Sequence, residues 1–410
     1  MKDTQLYSQI LGIQKPWKVT DVKISLADDE VEVTVVHGSG KLTCPKCGKK
    51  CSGYDKRQRR WRHLDTCQLK TLLLADVPRV QCPEHGVVTV NVPWAEPGSG
   101  FTALFEALVI DWLKQASTSA VSERLRLSWN AVDGIMQRAI KRGLARRVEL
   151  SPKQLSVDET SYRKGHDYVT VVTDQEQGVV VHVSEDRDTD SLKSFYDQLS
   201  EAQLSDIESV CMDMWPAYIK ATREAIDDAD SKIAFDRFHV AQYMGKAVDQ
   251  VRRQEHRQLL KLGDERMKGT KYQWLRNRAN MNWHQQRSFS ALRQSTLKTA
   301  RAWAIKECAS RLWDYESRTW AHKGWKRLIN WMARSRLKPM QETAKTLRKH
   351  LWGILNAVVL GVDNSHAESM NSRIKTVKAR ARGFRNKQRF RNAIYFHLGG
   401  LQLYPHGIAV

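Results

Sequence analysis

Three acidic side chains stand at positions from which they can meet. Asp158 lies within the predicted strand KQLSVDETSY, Asp213 ends the strand IESVCMDM, and Glu368 lies early in a helix predicted over 365–380. Carboxylates at the ends of neighbouring strands meet at one sheet edge, which a flanking helix also reaches. Three acids held this close repel one another unless cations lie between them. The pattern predicts two Mg²⁺ or Mn²⁺ ions and phosphodiester chemistry.

Each acid also has an ordinary structural interpretation. A strand-end aspartate commonly caps a turn, and a glutamate early in a helix faces the helix dipole favourably. Asp236 and His239, in the segment FDRFHV, are expected near the same sheet, where they either order the site or only stabilise the fold. The combination of three acids in a basic chain favours the metal-dependent site.

A second cluster has the spacing of a zinc site. The segments CPKC and CPEH each place two soft ligands on one tight turn, and together they supply Cys44, Cys47, Cys82 and His85. Four ligands complete a tetrahedron and leave no open position, so we expect one structural Zn²⁺. Three further candidates lie between the two halves: Cys51, His63 and Cys67. Unligated thiols in a small core are the alternative.

The overall charge restricts the class of partner. The 410 residues include 67 Lys and Arg against 45 Asp and Glu, a net charge of +22. Such a chain attracts polyanions, with nucleic acid as the first expectation and a membrane surface as the second. An ordinary apolar fraction of 41% argues against a disordered chain or a disulfide scaffold. We see no export or transmembrane segment, and expect a cytoplasmic, nucleoid-associated protein that does not bind membranes.

Composition and periodicity predict an α+β multidomain protein. A zinc-binding β module over 1–97 precedes a helix-turn-helix over 98–150, in which Ser128 caps the second helix of the motif. Three strands followed by alternating helices and strands over 151–243 predict an α/β core with a mixed sheet. Residues 244–355 are all-α and rich in tryptophan, mostly as core residues. The region 356–410 carries the last acid and a basic tail.

Basic residues around these elements are candidates for DNA contacts. They occur in KRQRRWRH, along the second helix of the motif and after the last acid, where the alternative is a solvated face. The expected contacts are Arg57, Arg59, Arg60, Arg62, Arg138, Lys141, Arg142, Arg373, Lys375, Lys378, Arg380, Arg382 and Arg385.

Several stretches resemble a known family. The segments CPKCG, RHLD, PRVQCPEHG, SVDETSYRKGHDYVTVVTD, CMDMWPAY, FDRFHV and SHAESMNSRIKTVKARARGFRN are similar, in this order, to DDE transposases of bacterial insertion sequences of the ISL-three type. The resemblance implies an RNase H-like core whose catalytic triad is Asp158, Asp213 and Glu368. It also implies that 244–355 is an insertion domain. His85 stands where many relatives have cysteine.

The function implied by this resemblance is DNA transposition. The protein would bind the terminal inverted repeats of its element, cleave at the ends and join the 3′-OH to target DNA. Both ends require concerted cleavage, so a homodimer or larger synaptic complex on double-stranded DNA is expected. Two alternatives stay open, namely a non-catalytic zinc and helix-turn-helix regulator and a domesticated transposase that only binds DNA. A serine recombinase is disfavoured because no catalytic domain precedes the DNA-binding modules.

Overall fold

The chain folds into two compact units. The computed structural model describes residues 2–38, 42–147, 150–163, 167–295, 297–362 and 365–408, without the side chains of 365–368. One unit is Met1–Arg147 with Leu401–Val410, and the other is Val148–Gly400. The last ten residues of the region 356–410, which was predicted to end the core, therefore belong to the N-terminal unit. Within that unit, an ideal Cβ on Gly143 would lie 2.7 Å from the Leu401 side chain, so the tail packs closely.

The N-terminal unit begins with a helix and a sheet of six strands. These elements are α1 (Asp3–Ile10), β1 (Trp17–Ser25), β2 (Glu30–His37), β3 (Leu42–Thr43), β4 (Lys50–Thr66), β5 (Leu69–Cys82) and β6 (Gly86–Thr89). The strand order is β1-β2-β5-β4-β3, and β6 pairs with β5. In β2 the sequence VEVTVV alternates with the period of a strand, and Val31, Val33 and Val35 all point into the core. They pack around Trp61, which meets Trp94 edge to face at 5.4 Å.

Three helices complete this unit. They are α2 (Ala103–Gln115), α3 (Thr118–Arg124) and α4 (Trp129–Ala145). Hydroxyl side chains cap all three, and Ser128 accepts from the Ala131 N–H at 3.2 Å, as predicted. The tight turn between α3 and α4 contains Arg126 in the left-handed region at φ 52°. The arrangement fits the predicted helix-turn-helix.

A buried carboxylate joins the sheet to these helices. Glu106 on α2 is 1% exposed and accepts from the Ser99 hydroxyl at 2.8 Å. Arg138 and Arg142 on α4 also donate to Glu106, and Arg142 donates to the Leu403 carbonyl at 3.1 Å. The segment AEPGSG at 95–100 has the composition of a linker, but it is packed into the unit through the buried Ser99. The β module and the helices are therefore continuous.

The second unit starts with a mixed sheet and its covering helices. The elements are β7 (Gln154–Ser161), β8 (Tyr168–Asp174), β9 (Val179–Glu185), α5 (Thr189–Tyr196), α6 (Glu201–Ser205), β10 (Ser209–Met212), α7 (Pro216–Ala225), α8 (Ala229–Lys232) and β11 (Ile233–Phe235). The order is β11-β10-β7-β8-β9. β7, β8 and β9 pair antiparallel, whereas β10 is parallel to both β7 and β11. The apolar segment SKIAFDRFHV predicts a last strand through Val240, but β11 ends at Phe235.

Helices form the remainder of the second unit. They are α9 (Arg237–Lys261), α10 (Lys271–Leu275), α11 (Trp283–Arg293), α12 (Lys298–Arg311), α13 (Arg318–Arg334), α14 (Lys338–Lys349), α15 (Leu351–Leu360), α16 (Ser365–Arg380) and α17 (Lys387–Leu398), with short 3-10 turns at Arg278–Asn280 and Leu312–Asp314. The predicted helix over 365–380 is confirmed. Among the described residues, no helix combines the length and the apolar composition needed to cross a membrane.

The helical region shares one core with the sheet. A single apolar cluster extends from Leu155 and Phe235 to Trp274, Trp325 and Leu347. The predicted boundaries at 243/244 and 355/356 fall inside α9 and α15, so neither is an exposed linker. Trp303 is also buried, whereas Trp283 and Trp320 are 64% and 58% exposed, so the tryptophans serve both core and surface.

The last helix before α16 packs tightly on the sheet edge. An ideal Cβ on Gly353 of α15 would lie 2.5 Å from the Phe235 ring on β11. Asn356, one turn later, donates to the Ile233 carbonyl at 2.7 Å. In contrast, an ideal Cβ on Gly245 of α9 meets no other atom within 4 Å. The two helical glycines therefore differ in what a methyl group would meet.

We predict opposite effects of alanine at these two glycines. Gly353→Ala should lower the free energy of unfolding by about 1–3 kcal/mol, because overpacking against Phe235 outweighs the gain in helix propensity. Gly245→Ala should raise it by up to about 1 kcal/mol. Urea denaturation of the full chain, followed by circular dichroism, measures both. Equal stability of the two variants would contradict this packing.

We also predict a pH-dependent stability from His63. The ring is 5% exposed and its Nδ1 lies 2.9 Å from the Thr102 hydroxyl. Burial, reinforced by the Arg62 charge, lowers the pKa of His63 from 6.5 to about 4. Because the pKa of this ring is higher in the unfolded chain, the unfolded chain is protonated first as the pH falls. The free energy of unfolding, which has its full His63 contribution above pH 6.5, therefore falls by roughly 3 kcal/mol as the pH drops to about 4.

Denaturation at several pH values between 7 and 4 checks this prediction. His63→Gln should lack this part of the pH dependence, and His406→Gln, at an exposed site, should retain it. Identical slopes in the wild type and in His63→Gln would contradict the assignment.

Candidate functional site

Two of the predicted acids lie side by side at one edge of the mixed sheet. β10 pairs with β7 in parallel, with Met212 opposite Val157. Asp213 and Asp158 are the next residues on these two strands, so the pairing carries them to neighbouring positions, about 5 Å apart along the sheet. Each carboxylate accepts from the following backbone N–H, at 2.6 Å for Asp213 and 2.7 Å for Asp158. The strand register thus creates the pair.

Asp236 and His239 extend this row of side chains. Phe235 on β11 lies opposite Met212, so Asp236 follows in the same register as Asp213. Asp236 is 3% exposed and caps α9 by accepting from the Phe238 N–H at 2.8 Å. The cap starts α9 and brings His239 between the acids, with Nδ1 3.5 Å from Asp213 and Nε2 3.6 Å from Asp236. His239 therefore contacts both carboxylates.

The final acidic helix lies against the first strand of this sheet. Asn371 on α16 donates from Nδ2 to Asp158 Oδ2 at 2.5 Å, and Lys378 donates to the Ser161 carbonyl at 2.7 Å. Glu368 precedes Asn371 by one helical turn, and residues at this spacing share a helix face. The side chain of Glu368 itself lies outside the described residues.

The electrostatics of the site disfavour bare negative charge. Burial raises the pKa of Asp158, and the neighbouring Asp213 charge adds to this, against the opposing effects of His239 and Asn371. Burial also raises the pKa of Glu159, which Arg187 opposes. Carboxylates in such a place favour protons or cations, and carboxylate oxygens are ligands that Mg²⁺ or Mn²⁺ prefer. The donor atoms of Asp158 and Asp213 are therefore of the chemical type that holds a divalent cation.

A cationic and aromatic platform lies next to the acids, and sequence reasoning missed it. The Arg187 guanidinium lies 4.1 Å from the centroid of the Trp215 ring and 5.2 Å from that of Tyr168. Arg187 also pairs with Glu159 at 2.8 Å. Trp215 is 36% exposed and follows Asp213 by two residues. An exposed indole so close to a candidate acid was the available signal in CMDMWPAY.

The predicted zinc ligands converge in the N-terminal unit. One ligand atom from each of Cys44, Cys47, Cys82 and His85 lies within 4.8 Å of all the others. The separations are 3.7 Å between the sulfurs of Cys47 and Cys82, and 3.6 Å from the Cys82 sulfur to His85 Nδ1. A tetrahedron with Zn–S bonds of about 2.3 Å has edges of this length. Although burial opposes it, hydrogen bonds from the Glu84 and His85 backbone lower the pKa of Cys82 to about 7, which favours the ligating thiolate.

The other candidate ligands are accounted for differently. His63 is buried against Thr102, and Cys67 is exposed at the tip of the β4–β5 hairpin. Cys51 lies beside the cluster, where its thiol is 3.4 Å from the Lys49 carbonyl. Among the described residues, the group with the geometry of a metal site therefore consists of the four ligands predicted from the two turns, Cys44, Cys47, Cys82 and His85.

Two predicted DNA contacts have structural roles instead. Arg62 is 8% exposed, and its guanidinium bonds to Asp65 and to the His63 carbonyl at 2.9 Å. Arg142 is equally buried and bonds to Glu96, Glu106 and the Leu403 carbonyl. A buried, fully engaged guanidinium cannot reach a phosphate, so these two expectations are corrected.

The remaining predicted cations differ in how available they are. Arg138 is half-buried on Glu106, Arg59 donates to the Ser99 carbonyl at 3.2 Å, and Arg60 pairs with Glu30 at 2.9 Å. Lys378 is engaged with β7. The exposed ones are Arg57, Arg60, Lys141, Arg373, Lys375, Arg380, Arg382 and Arg385. Asn130, missed from the sequence, is exposed at the start of α4, where a recognition helix meets base edges.

Comparisons with known proteins agree with this architecture. A family model of the DDE, ISL3 type, described as transposase, matches residues 155–394. The helix-turn-helix domain of transposase family ISL3 matches 90–140, and the zinc-finger of transposase IS204/IS1001/IS1096/IS1165 matches 41–85. The three matches cover the helix-turn-helix, the zinc cluster and the sheet with its acids.

Curated relatives extend over most of the chain. The transposase for insertion sequence element IS1557 of Mycobacterium tuberculosis is 28% identical over 425 aligned residues, covering 95% of this chain and 94% of the relative. The transposase for insertion sequence element IS1001 of Bordetella parapertussis is 26% identical, covering 85% and 87% respectively. With the DDE-type model spanning more than half of its length, the chain belongs to the ISL3 family of insertion sequence transposases.

Proposed function

We propose that this transposase cleaves DNA at the ends of its insertion sequence and joins the freed 3′-OH to target DNA at the Asp158–Asp213 site. The observation that carries the proposal is the parallel β7–β10 register, which aligns these two acids, together with the Asn371 contact from α16. Glu368, one turn before Asn371, is the third acid of the proposed triad. Water is the nucleophile for cleavage, and the 3′-OH is the nucleophile for joining.

The topology of the sheet supports an RNase H-like core. Numbering the five strands of this sheet along the chain, their order is 3-2-1-4-5, with the first three antiparallel and the last two parallel to the first. The helical residues 244–355 lie in the sequence between Asp213 and Glu368, where an insertion in this core would lie. Because they share the core cluster with the sheet, the insertion would be an extension of the core rather than a separately folding domain.

Asp158, Asp213 and Glu368 would hold two Mg²⁺ or Mn²⁺ ions. When bound, such ions stabilise the attacking and leaving oxygens of a phosphodiester displacement. The chain itself would orient the carboxylates, since Asn371 donates to Asp158 and the His239 ring lies against Asp213. Arg187, held on Trp215 and Tyr168, presents a cation to the phosphate backbone.

The N-terminal unit would recognise the terminal inverted repeats. Zn²⁺ held by the Cys44 cluster would fix the two turns of the zinc module, and α4 would enter the major groove from Asn130 onward. In the N-terminal unit, the exposed cations Arg57 and Lys141 would contact phosphates. In the second unit, the exposed cations from Arg373 to Arg385 would do so. We further propose a homodimer or larger assembly, because both ends require cutting in one complex.

We predict that the triad is required for cleavage but not for binding. Asp213→Asn and Glu368→Gln should each lower cleavage of a labelled duplex carrying the element's end by at least a factor of about 100, since each removes a carboxylate ligand. Cleavage is measured with and without Mg²⁺, and binding by gel shift. Glu208→Gln, at an exposed carboxylate, is the matched control. Tight binding by the wild type without cleavage under any divalent metal would instead support a domesticated DNA-binding protein.

We predict one zinc ion per chain, bound by Cys44, Cys47, Cys82 and His85. Cys82→Ser should lose the zinc measured by mass spectrometry of the native protein, and should unfold the zinc module, because a structural site stabilises the fold that makes it. Cys67→Ser, at an exposed thiol outside the cluster, should retain the zinc. Zinc retention by Cys82→Ser, or its loss from Cys67→Ser, would contradict the ligand set.

A further inference from the structure

A fifth cysteine lies beside the candidate zinc ligands. Cys51 is half-buried near the start of β4, and its thiol donates to the Lys49 carbonyl at 3.4 Å. The same carbonyl accepts from the Cys44 N–H at 2.9 Å, so the chain holds Cys51 against the first ligand turn. Among the described residues, the group with metal-site geometry is Cys44, Cys47, Cys82 and His85, without Cys51. A thiol outside the ligand set therefore lies next to thiols that belong to it.

The strand register places Cys51 across from Cys82. In the antiparallel β4–β5 pair, Ser52 lies opposite Gln81. Cys51 and Cys82 are the next residues on these two strands, so the same register brings them opposite each other. Directly opposed residues of an antiparallel pair have Cα atoms about 4.5 or 5.5 Å apart, and a disulfide spans Cα separations of about 4.4–6.8 Å. The backbone therefore already has the spacing that a disulfide requires.

The thiols around Cys82 differ in whether zinc would occupy them. The Cys47 sulfur lies 3.7 Å from the Cys82 sulfur, but both belong to the ligand set. Cys67 is exposed at the tip of the β4–β5 hairpin, at the opposite end of the two strands. Burial raises the pKa of Cys51, and a hydrogen bond with the Cys82 thiol raises it further, which places these two thiols in contact. Cys51 is therefore a neighbour of Cys82 that stays outside the metal site.

We propose that hydrogen peroxide joins Cys51 to Cys82 in a disulfide, and that this modification reversibly releases the structural zinc ion. The proposal rests on the zinc site of the proposed function and adds a second chemical state to it. A bonded Cys82 leaves three ligands for the metal, whereas a structural zinc site is closed by four. The disulfide joins residues that already lie opposite each other, so β4 stays paired with β5 while the CPKC turn loses its metal.

The oxidation needs no reactant besides hydrogen peroxide. The Cys82 sulfur, a thiolate in the ligand set, attacks the peroxide, the O–O bond breaks and hydroxide leaves, which gives a sulfenic acid. The Cys51 sulfur then attacks the Cys82 sulfur, so that an S–S bond forms and the S–O bond breaks. The thiol proton of Cys51 and the departing hydroxide leave as water. The two sulfurs are thus oxidised, the peroxide is reduced to water and hydroxide, and an added dithiol reverses the bond by exchange.

The first experiment maps the disulfide and follows the metal. The full-length, zinc-loaded protein is treated with hydrogen peroxide, its free thiols are alkylated, and the unreduced digest is mapped by mass spectrometry while a chromogenic chelator reports released zinc. We expect a main disulfide between Cys51 and Cys82, and zinc release about tenfold faster than in Cys51→Ser, which lacks the second thiol. Cys67→Ser, at an exposed thiol outside the cluster, is the matched control and should release zinc at the wild-type rate.

Other products would overturn the proposal. A main disulfide between Cys44 and Cys47, or between Cys47 and Cys82, would show that the ligands oxidise among themselves. Equal rates of zinc release in the wild type and in Cys51→Ser would show that Cys51 takes no part.

The reduced proteins separate this inference from the zinc site itself. Reduced Cys51→Ser should bind one zinc ion per chain, because Cys51 lies outside the ligand set; loss of zinc there would make Cys51 a ligand and overturn the proposal. A reduced wild type without zinc contradicts the zinc site and the release step, whereas the disulfide map still tests the pairing of Cys51 with Cys82. After oxidation, dithiothreitol and added zinc should restore one zinc ion per chain, and a failure to recover it contradicts the reversible modification.

Discussion

The parallel pairing of β10 with β7 is the constraint on which the rest of the second unit depends. It places Asp213 next to Asp158 at a buried sheet edge, where burial raises the pKa of Asp158 and the second carboxylate raises it further. Two like charges in such a place are unfavourable unless other groups compensate for them. Asn371 donates to one carboxylate and His239 contacts the other. The elements that carry these two residues, α16 and α9, must therefore pack at this edge.

The same requirement accounts for the continuity of the core. α9 starts at its Asp236 cap and runs through Lys261 into the helical region without a break. α15 closes the other side of β11, with Gly353 against Phe235 and Asn356 donating to the Ile233 carbonyl of β11 and to the Asp230 carbonyl of α8. A helical region hinged on an exposed linker would leave His239 free to move relative to Asp213. The shared apolar cluster instead fixes the helix that carries it.

Local signals in the sequence were sufficient for much of this arrangement. The β-branched runs predicted β7, β8, β9 and β10, Ser128 predicted the start of α4, and the bounds of α16 were predicted directly. The spacing of CPKC and CPEH predicted the zinc ligands because short turns determine that geometry locally. The end of β11 was misjudged at Asp236, since a cap depends on the direction of the following chain rather than on composition.

What the sequence did not predict depends on long-range packing. Arg62 and Arg142 look like their exposed neighbours Arg57 and Lys141, because nothing local reveals the carboxylates that meet them. Glu106 is close to Ser99 in sequence, but it is separated from Arg138 and Arg142 by 32 and 36 residues, which include the whole of α3. The Arg187–Trp215 platform likewise joins residues from two different loops. Charge counting therefore overestimates the DNA-facing surface.

Some of the cations behind the net charge of +22 are buried in ion pairs that stabilise the fold, and others are exposed on the surface. In the N-terminal unit, Arg142 is committed to joining the helices to the sheet, so its replacement would disturb folding before it disturbed DNA affinity. Along α16 and the turn after it, the exposed cations lie on the same helix as the acid-contacting Asn371. In the proposed function, phosphates drawn to that helix would also be drawn towards the acidic edge. Long-range attraction and the position of the phosphate at that edge would then depend on one element, since α16 is anchored on β7 by both Asn371 and Lys378.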